Sequence, residues 1–312
     1  MNGTFSARRK SLTVAAVAVA AATGIAAAVI PAHATAGHTG KDVTILAAAL
    51  RGANEVPVAG GPAVGDKDGA ALEFIKVQGD KVSVAVTWRH TGRPTSLHIH
   101  QGAKGTNGGV KVDFGKLLEK AEGHTVTGTV KVNDAALLKK LTTDPGSFYA
   151  NLHTARFPGG AVRGQLHKVT TAVTFRHVAD SFQASVVRGK QIYECKPADG
   201  GGYAFAQRDV DALLGAGIRH SFVKPNSGTP QWIAPDGSAV TGALISKTAN
   251  GDGNIPELDL KATRSGKRHG LLAGTAEILR LNTVGGVAPA GSCTPGAIVG
   301  VPYQADYVFV QR

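Results

Sequence analysis

The chain has 312 residues, 43% of them hydrophobic, with 34 Lys+Arg against 22 Asp+Glu. Its basic residues are scattered, with no run of five or more like charges and no recognisable nucleic-acid module, so nucleic acid is not an expected partner. The surplus suits anionic surroundings such as wall polymers or lipid headgroups.

Arg8, Arg9 and Lys10 precede an apolar run from Leu12 to Ile30, and Ala32-His33-Ala34 follows. A basic start, an apolar middle and a small-x-small end predict a secretory signal peptide over residues 1–34, cleaved near Ala34. The alternative is a membrane anchor, since the run approaches the roughly 20 residues that span a bilayer. The adjacent arginines raise the twin-arginine export route, but "ARRKSL" lacks the bulky residue that usually follows the pair. No later stretch is apolar enough to span a membrane, so a secreted protein with no transmembrane segment after cleavage is expected. About 278 residues remain, with 31 Lys+Arg against 22 Asp+Glu, enough for two domains.

Short alternating runs then recur between Gly, Asn, Asp and Pro turns: "DVTILAAALR", "ALEFIKV", "KVSVAVTW", "SLHIHQG", "HTVTGTVKV", "FYANLHT" and "AVRGQLHKV". Period-two alternation at this spacing predicts antiparallel strands in a sandwich or barrel. Two stretches read as short crossover helices. "NDAALLKKLTTDPG" has Asn133 as a candidate cap and Pro145 as a stop, and "FGKLLEKAEG" is the weaker pattern.

Residues 169–190 read as a linker or a closing strand. A second module is expected over 191–312, opening with "QIYECK" and closing with "IVGVPYQADYVFVQR", where Val301, Tyr303, Ala305, Tyr307 and Phe309 share a face. The chain has two cysteines, Cys195 and Cys293, both in this module. In an exported protein a lone pair reads most simply as a disulfide; closing about 99 residues, it would contribute on the order of 4–5 kcal/mol in the chain-entropy model. The expected fold class is therefore all-β: two antiparallel, sandwich-like or Greek-key-like modules, with one or two short crossover helices in the first.

"ALRGANEVP" (49–57), "LHIHQGAKGTNGGV" (97–110) and "YANLHTARFPGGAVRGQL" (149–166) together resemble the CHRD domain, the repeat of chordin that also occurs in exported bacterial proteins. The resemblance covers about residues 43–168. In chordin the repeats belong to a protein that binds growth factors; no such partner is assumed for this chain, and the resemblance implies a fold and little chemistry. "YECK", "HSFVKPNSGTPQWIAPDGSAV", "EILRLNTVGGVAPAGSC" and "VPYQADYVFV" resemble an exported bacterial and fungal family without an assigned function. Within that resemblance "NIPELDLKA" (254–262) departs from the pattern: a Trp and more apolar residues are expected after its Pro, which bears on the packing of this strand.

Alternate strand residues share a face. Leu97 and Ile99 are expected inward and His98 and His100 outward; Ala150 and Leu152 inward, and Tyr149, Asn151 and His153 outward; Val162, Gly164 and Leu166 inward, and Arg163, Gln165 and His167 outward. If these strands are neighbours, His98, His100 and His153 converge, with His167 as a fourth candidate. A His-x-His strand and a later His is the scheme of copper and zinc sites on β-sandwiches, and imidazole suits both metals. The full ligand set of the copper–zinc superoxide dismutases, with the Asp and further His of a bridged second metal, cannot be matched. The competing readings are polar residues on a solvated sheet face, and imidazole N–H groups tied to the carbonyls of the "GAKGTNGG" turn.

Other histidines offer less: His90 and His124 sit in turn-like contexts, and His177, His220 and His269 show no partner. Glu55 is expected to anchor its turn through backbone N–H groups, Arg163 to pair with a carboxylate such as Glu55, and Trp232 to be buried. No P-loop, nucleophile elbow, H-E-x-x-H or EF-hand spacing is present. The sequence thus reads as an exported, non-enzymatic binding protein with an unknown extracellular ligand or an anionic envelope polymer as partner; the alternative is a copper- or zinc-binding metalloprotein using His98, His100 and His153.

Overall fold

A computed structural model describes residues 43–312; the expected signal peptide, residues 1–34, lies outside the described residues. Nine strands form the first module: β1 (Val43–Arg51), β2 (Ala70–Gln78), β3 (Lys81–Arg89), β4 (Pro94–Gln101), β5 (Val110–Asp113), β6 (Thr125–Lys131), β7 (Phe148–Thr154), β8 (Val162–Gln165) and β9 (His167–Val169). They make one antiparallel sheet in the order β5-β4-β7-β8-β1-β2-β3-β6, with β9 also on β1. The sheet curls into a half-barrel around a core that includes Leu46, Leu50, Ile75, Trp88, Leu97, Ile99, Phe148 and Leu152.

Helix α1 (Ala135–Thr143) lies where helical periodicity predicts it and sends Leu141 into that core. Its cap is Asp134 and not Asn133. The helix begins at Ala135, and the extended Asp134 places its carboxylate to accept the Leu137 N–H at 2.9 Å. The weaker pattern, "FGKLLEKAEG", makes only a 3-10 turn, Gly115–Lys120.

The second module contains β10 (Phe182–Pro197), β11 (Tyr203–Leu214), β12 (Arg219–Phe222), β13 (Pro230–Ile233), β14 (Ala239–Thr248), β15 (Glu257–Arg264), β16 (Thr275–Gly285) and β17 (Ile298–Gln311). These eight strands follow one another around a closed antiparallel barrel, β17 returning to pair with β10. Closure leaves no unpaired edge for another chain to join. Tyr303, Ala305, Tyr307 and Phe309 of β17 all point into the barrel with Trp232, Ile278 and Leu260, as their alternation requires. Cys195 and Cys293 form the expected disulfide, tying β10 to the loop before β17.

The two sheets share a third apolar cluster. Ile45, Ala47 and Ala49 of β1 and Leu72 and Phe74 of β2 pack against Leu279 and Leu281 of β16 and Val308 and Val310 of β17. That explains why "ILAAAL" is buried at every position: one face fills the half-barrel and the other meets the barrel. Polar residues rim this seam. Arg51 Nε donates to Asp306 Oδ2 at 3.0 Å, Asn282 Nδ2 to the Ala49 carbonyl at 3.0 Å, and Lys104 Nζ to Glu257 Oε1 at 3.0 Å. The acidic character of "NIPELDLKA" follows. Leu258, Leu260 and Ala262 turn to the barrel interior, while Glu257 meets Lys104, and Asp259 accepts the Thr170 hydroxyl at 2.9 Å.

Glu73 is the exception in the half-barrel core. It shares β2 with the inward Ala71, Ile75 and Val77, is fully buried, and neither carboxyl oxygen has a hydrogen-bond partner. Burial pushes its carboxyl up to about 8. A carboxyl raised in the native state binds a proton that the unfolded chain has already released, so it lowers stability as pH rises from the ordinary value to about 8. This term should reduce the unfolding free energy by about 1.4 kcal/mol per pH unit between pH 5 and pH 8. In urea titrations across that range, Glu73→Leu should show a slope shallower by that amount. An unchanged slope would mean that the carboxyl ionises freely.

Candidate metal centre

The β4–β7 pairing builds the site. His98 lies opposite Asn151, His100 opposite Tyr149, and Ser96 opposite His153, so all three histidines share the outer face. Ring centroids are 5.5 Å apart for His98 and His100, 5.2 Å for His98 and His153, and 6.2 Å for His100 and His153. One nitrogen from each ring falls within 4.8 Å of the others. Ligands about 2 Å from a common ion lie roughly 3–4 Å apart, so closing the set asks each ring to swing inward by roughly an ångström or less.

Every ring has one nitrogen committed and one free. His100 Nδ1 is 2.9 Å from the Gly108 carbonyl and His153 Nδ1 is 3.0 Å from the Pro158 carbonyl. Carbonyls only accept, so both Nδ1 atoms carry the proton and both Nε2 atoms hold lone pairs. His98 Nε2 is 3.5 Å from Asp113 Oδ1. The remaining nitrogens, His98 Nδ1, His100 Nε2 and His153 Nε2, are buried without a partner. Bonding to the glycine-rich turn therefore accounts for half of the His100 ring, and Pro158 and Asp113 account for half of the other two. The other half of each ring is left unexplained.

The expected solvated face is not what surrounds these rings. Tyr149, Asn151 and Arg163 point outward as predicted, yet all three are buried, because loops roof them. Arg163 does not pair directly with Glu55. Its guanidinium lies 3.4 Å over the Tyr149 ring and donates to Asn107 Oδ1 at 3.0 Å and to the Thr106 carbonyl at 2.6 Å, which pins the 102–109 loop over the sheet. Tyr149 stacks in turn on His100, 4.9 Å between centroids and 7° from parallel. Gly108 must be glycine for this roof to close: a Cβ there would fall 1.6 Å from the Gln101 carbonyl oxygen. Gly160, at φ 136°, leaves room for the Glu55 carboxyl beside it.

Glu55 does not anchor its turn through N–H groups. Oε2 accepts only the Asn151 amide at 3.4 Å and Oε1 has no partner. Burial raises its carboxyl to about 7, against the opposing pull of Arg163. His167, expected as a fourth ligand, stands apart. After Gln165 the chain leaves β8 and pairs with β1, taking His167 to the seam, where Nε2 is 3.5 Å from Glu257 Oε2. His90, His124, His177 and His269 are exposed, whereas His220 is buried, bonded through Nδ1 to the Gln231 carbonyl and stacked on the buried Trp232. The unpartnered second nitrogens escaped sequence reasoning. A His flanked by close-approach glycines was the available signal.

The family model of the CHRD domain matches residues 46–166. Residues 46–166 are thus similar to the CHRD domain. A second match, to a protein of unknown function (DUF3455), covers residues 211–311, from the end of β11 to the end of β17. Neither the curated proteins nor the solved structures contain a match to the chain. The histidine group thus lies wholly within the residues matched by the CHRD model, on strands β4 and β7.

Burial shifts the His98, His100 and His153 imidazoles below the ordinary range, and for His98 and His100 the neighbouring rings add to the effect. The native rings therefore resist protonation that the unfolded chain accepts. Their contribution to stability is complete above about 6.5 and is lost as pH falls below it. In an NMR titration of the metal-free protein, all three rings should titrate below 6.5. Titration of any of them at or above that value would contradict the buried, neutral arrangement.

Proposed function

We propose that the protein is an exported binding protein whose ligand is a single copper or zinc ion held by His98, His100 and His153. One observation carries this reading: three imidazoles, each oriented by a partner on one nitrogen and with the other nitrogen buried and unpartnered, bring one nitrogen apiece within 4.8 Å of one another. Histidine ligands to metals typically donate their other N–H to a carbonyl or carboxylate, which sets the tautomer and the ring direction. Gly108, Pro158 and Asp113 occupy those positions. Neutral imidazoles without thiolates suit zinc and copper equally. The CHRD and DUF3455 domains fit a binding protein without catalytic activity. Export is supported by the signal-like residues 1–34 and by the disulfide, a bond that persists in oxidising compartments. The basic surplus would favour retention on anionic envelope polymers.

Elemental analysis after dialysis against copper or zinc should find one ion per chain. The His98→Ala, His100→Ala double variant should lose it, and equal metal content in that variant would overturn the assignment. Asp113 is an exposed second partner, so Asp113→Asn should weaken zinc or copper binding by about tenfold without unfolding the protein. Binding measured by calorimetry should be level from pH 8 to about 6.5 and fall below that, because only there do protons begin to compete for the depressed imidazoles.

A further inference from the structure

The barrel encloses a cavity of about 620 Å³, within the range of small-molecule sites. Phe222, Trp232, Leu258 and Leu260 supply apolar wall, and Leu244, 59% exposed, stands at the rim where the cavity meets solvent. Among the described residues no Asp or Glu lines it, and Arg280 is its one charged group.

Arg280 is an unusual residue for such a place. It projects inward from β16 beside Ile278, only 8% exposed. Its Nε and Nη2 donate to the Pro256 carbonyl at 3.2 and 2.8 Å, and no carboxylate pairs with it among the described residues. A buried guanidinium without a counter-charge is costly, and an anion is what relieves it.

Two further groups have the same need. Gln191 and Trp232 are each 1% exposed, both line the cavity, and Gln191 Nε2 and Trp232 Nε1 have no partner. The Gln191 carbonyl oxygen is already taken by Gln207 Nε2 at 2.7 Å, so what remains is a donor. Guanidinium, amide N–H and indole N–H are all donors. A ligand that matches this lining accepts hydrogen bonds, carries negative charge and presents apolar surface. One guanidinium matches one carboxylate; a dianion would need a second cation.

We propose that the barrel binds a small amphiphilic monoanion, a carboxylate on an apolar body, with the carboxylate at Arg280 and the body along the aromatic and leucine walls. This site is separate from the histidine group and does not depend on it.

The test is calorimetric titration of the purified protein with decanoate and, as the uncharged comparison, decanol. Decanoate should bind saturably and at least tenfold more tightly than decanol, and Arg280→Gln should erase that preference. Because a change at a buried charge can disturb folding, Leu244→Trp provides a second arm: it narrows the rim at an exposed position and should weaken decanoate at least tenfold. Absence of saturable decanoate binding, equal affinity for decanol, or a preference that survives Arg280→Gln would each overturn the proposal, as would undiminished decanoate binding by Leu244→Trp.

Discussion

The register between β4 and β7 governs the candidate centre. With Leu97 opposite Leu152 and Ile99 opposite Ala150, four apolar side chains enter the half-barrel and the intervening imidazoles must leave it. A one-residue slip of β4 would put Leu97 and Ile99 on the outer face and two imidazoles, His98 and His100, in an apolar core. Both changes are unfavourable, so the core that excludes the histidines also collects them. Their convergence needs no special backbone, only the pairing that burial already demands.

What differs from an ordinary polar sheet face is the roof. Arg163 lies across Tyr149 and holds the 102–109 loop by its carbonyls, and the turn at Pro158 closes another side. The same loops that shelter the rings also supply the acceptors that fix their protonated nitrogens. Desolvation then keeps the imidazoles neutral. A face that would be wet and unremarkable becomes a small polar chamber with lone pairs directed into it.

The barrel solves its polar problem in the opposite sense. Glu257, Asp259, Glu277 and Asp306 lie on its outside, where Lys104, Thr170 and Arg51 from the preceding part of the chain donate to them. Burial and the neighbouring Glu277 raise the Asp259 carboxyl to about 7, so the seam itself contains a protonatable group. Arg280 is left inside without a carboxylate, held by the Pro256 carbonyl, and the unpartnered Gln191 and Trp232 N–H groups line the same cavity. This segregation of charge across one wall of the barrel ties the seam and the cavity to the same two strands, β15 and β16.

Much of this was legible in the amino-acid order. Alternation placed Leu97 and Ile99 inward and the His98–His100 pair outward, put Tyr303 to Phe309 on one face of β17, and marked α1; the cysteine count named the Cys195–Cys293 disulfide. Those signals are local, because side-chain direction repeats every two residues whatever lies beyond. What covers an outer face is not local. The closure of β17 onto β10, the double burial of β1, the diversion of His167 to the seam and the Arg163 contacts that pin the loop over His100 come from segments tens to hundreds of residues away. Only the folded chain decides them, since each depends on which surfaces remain unpaired once the local elements have formed.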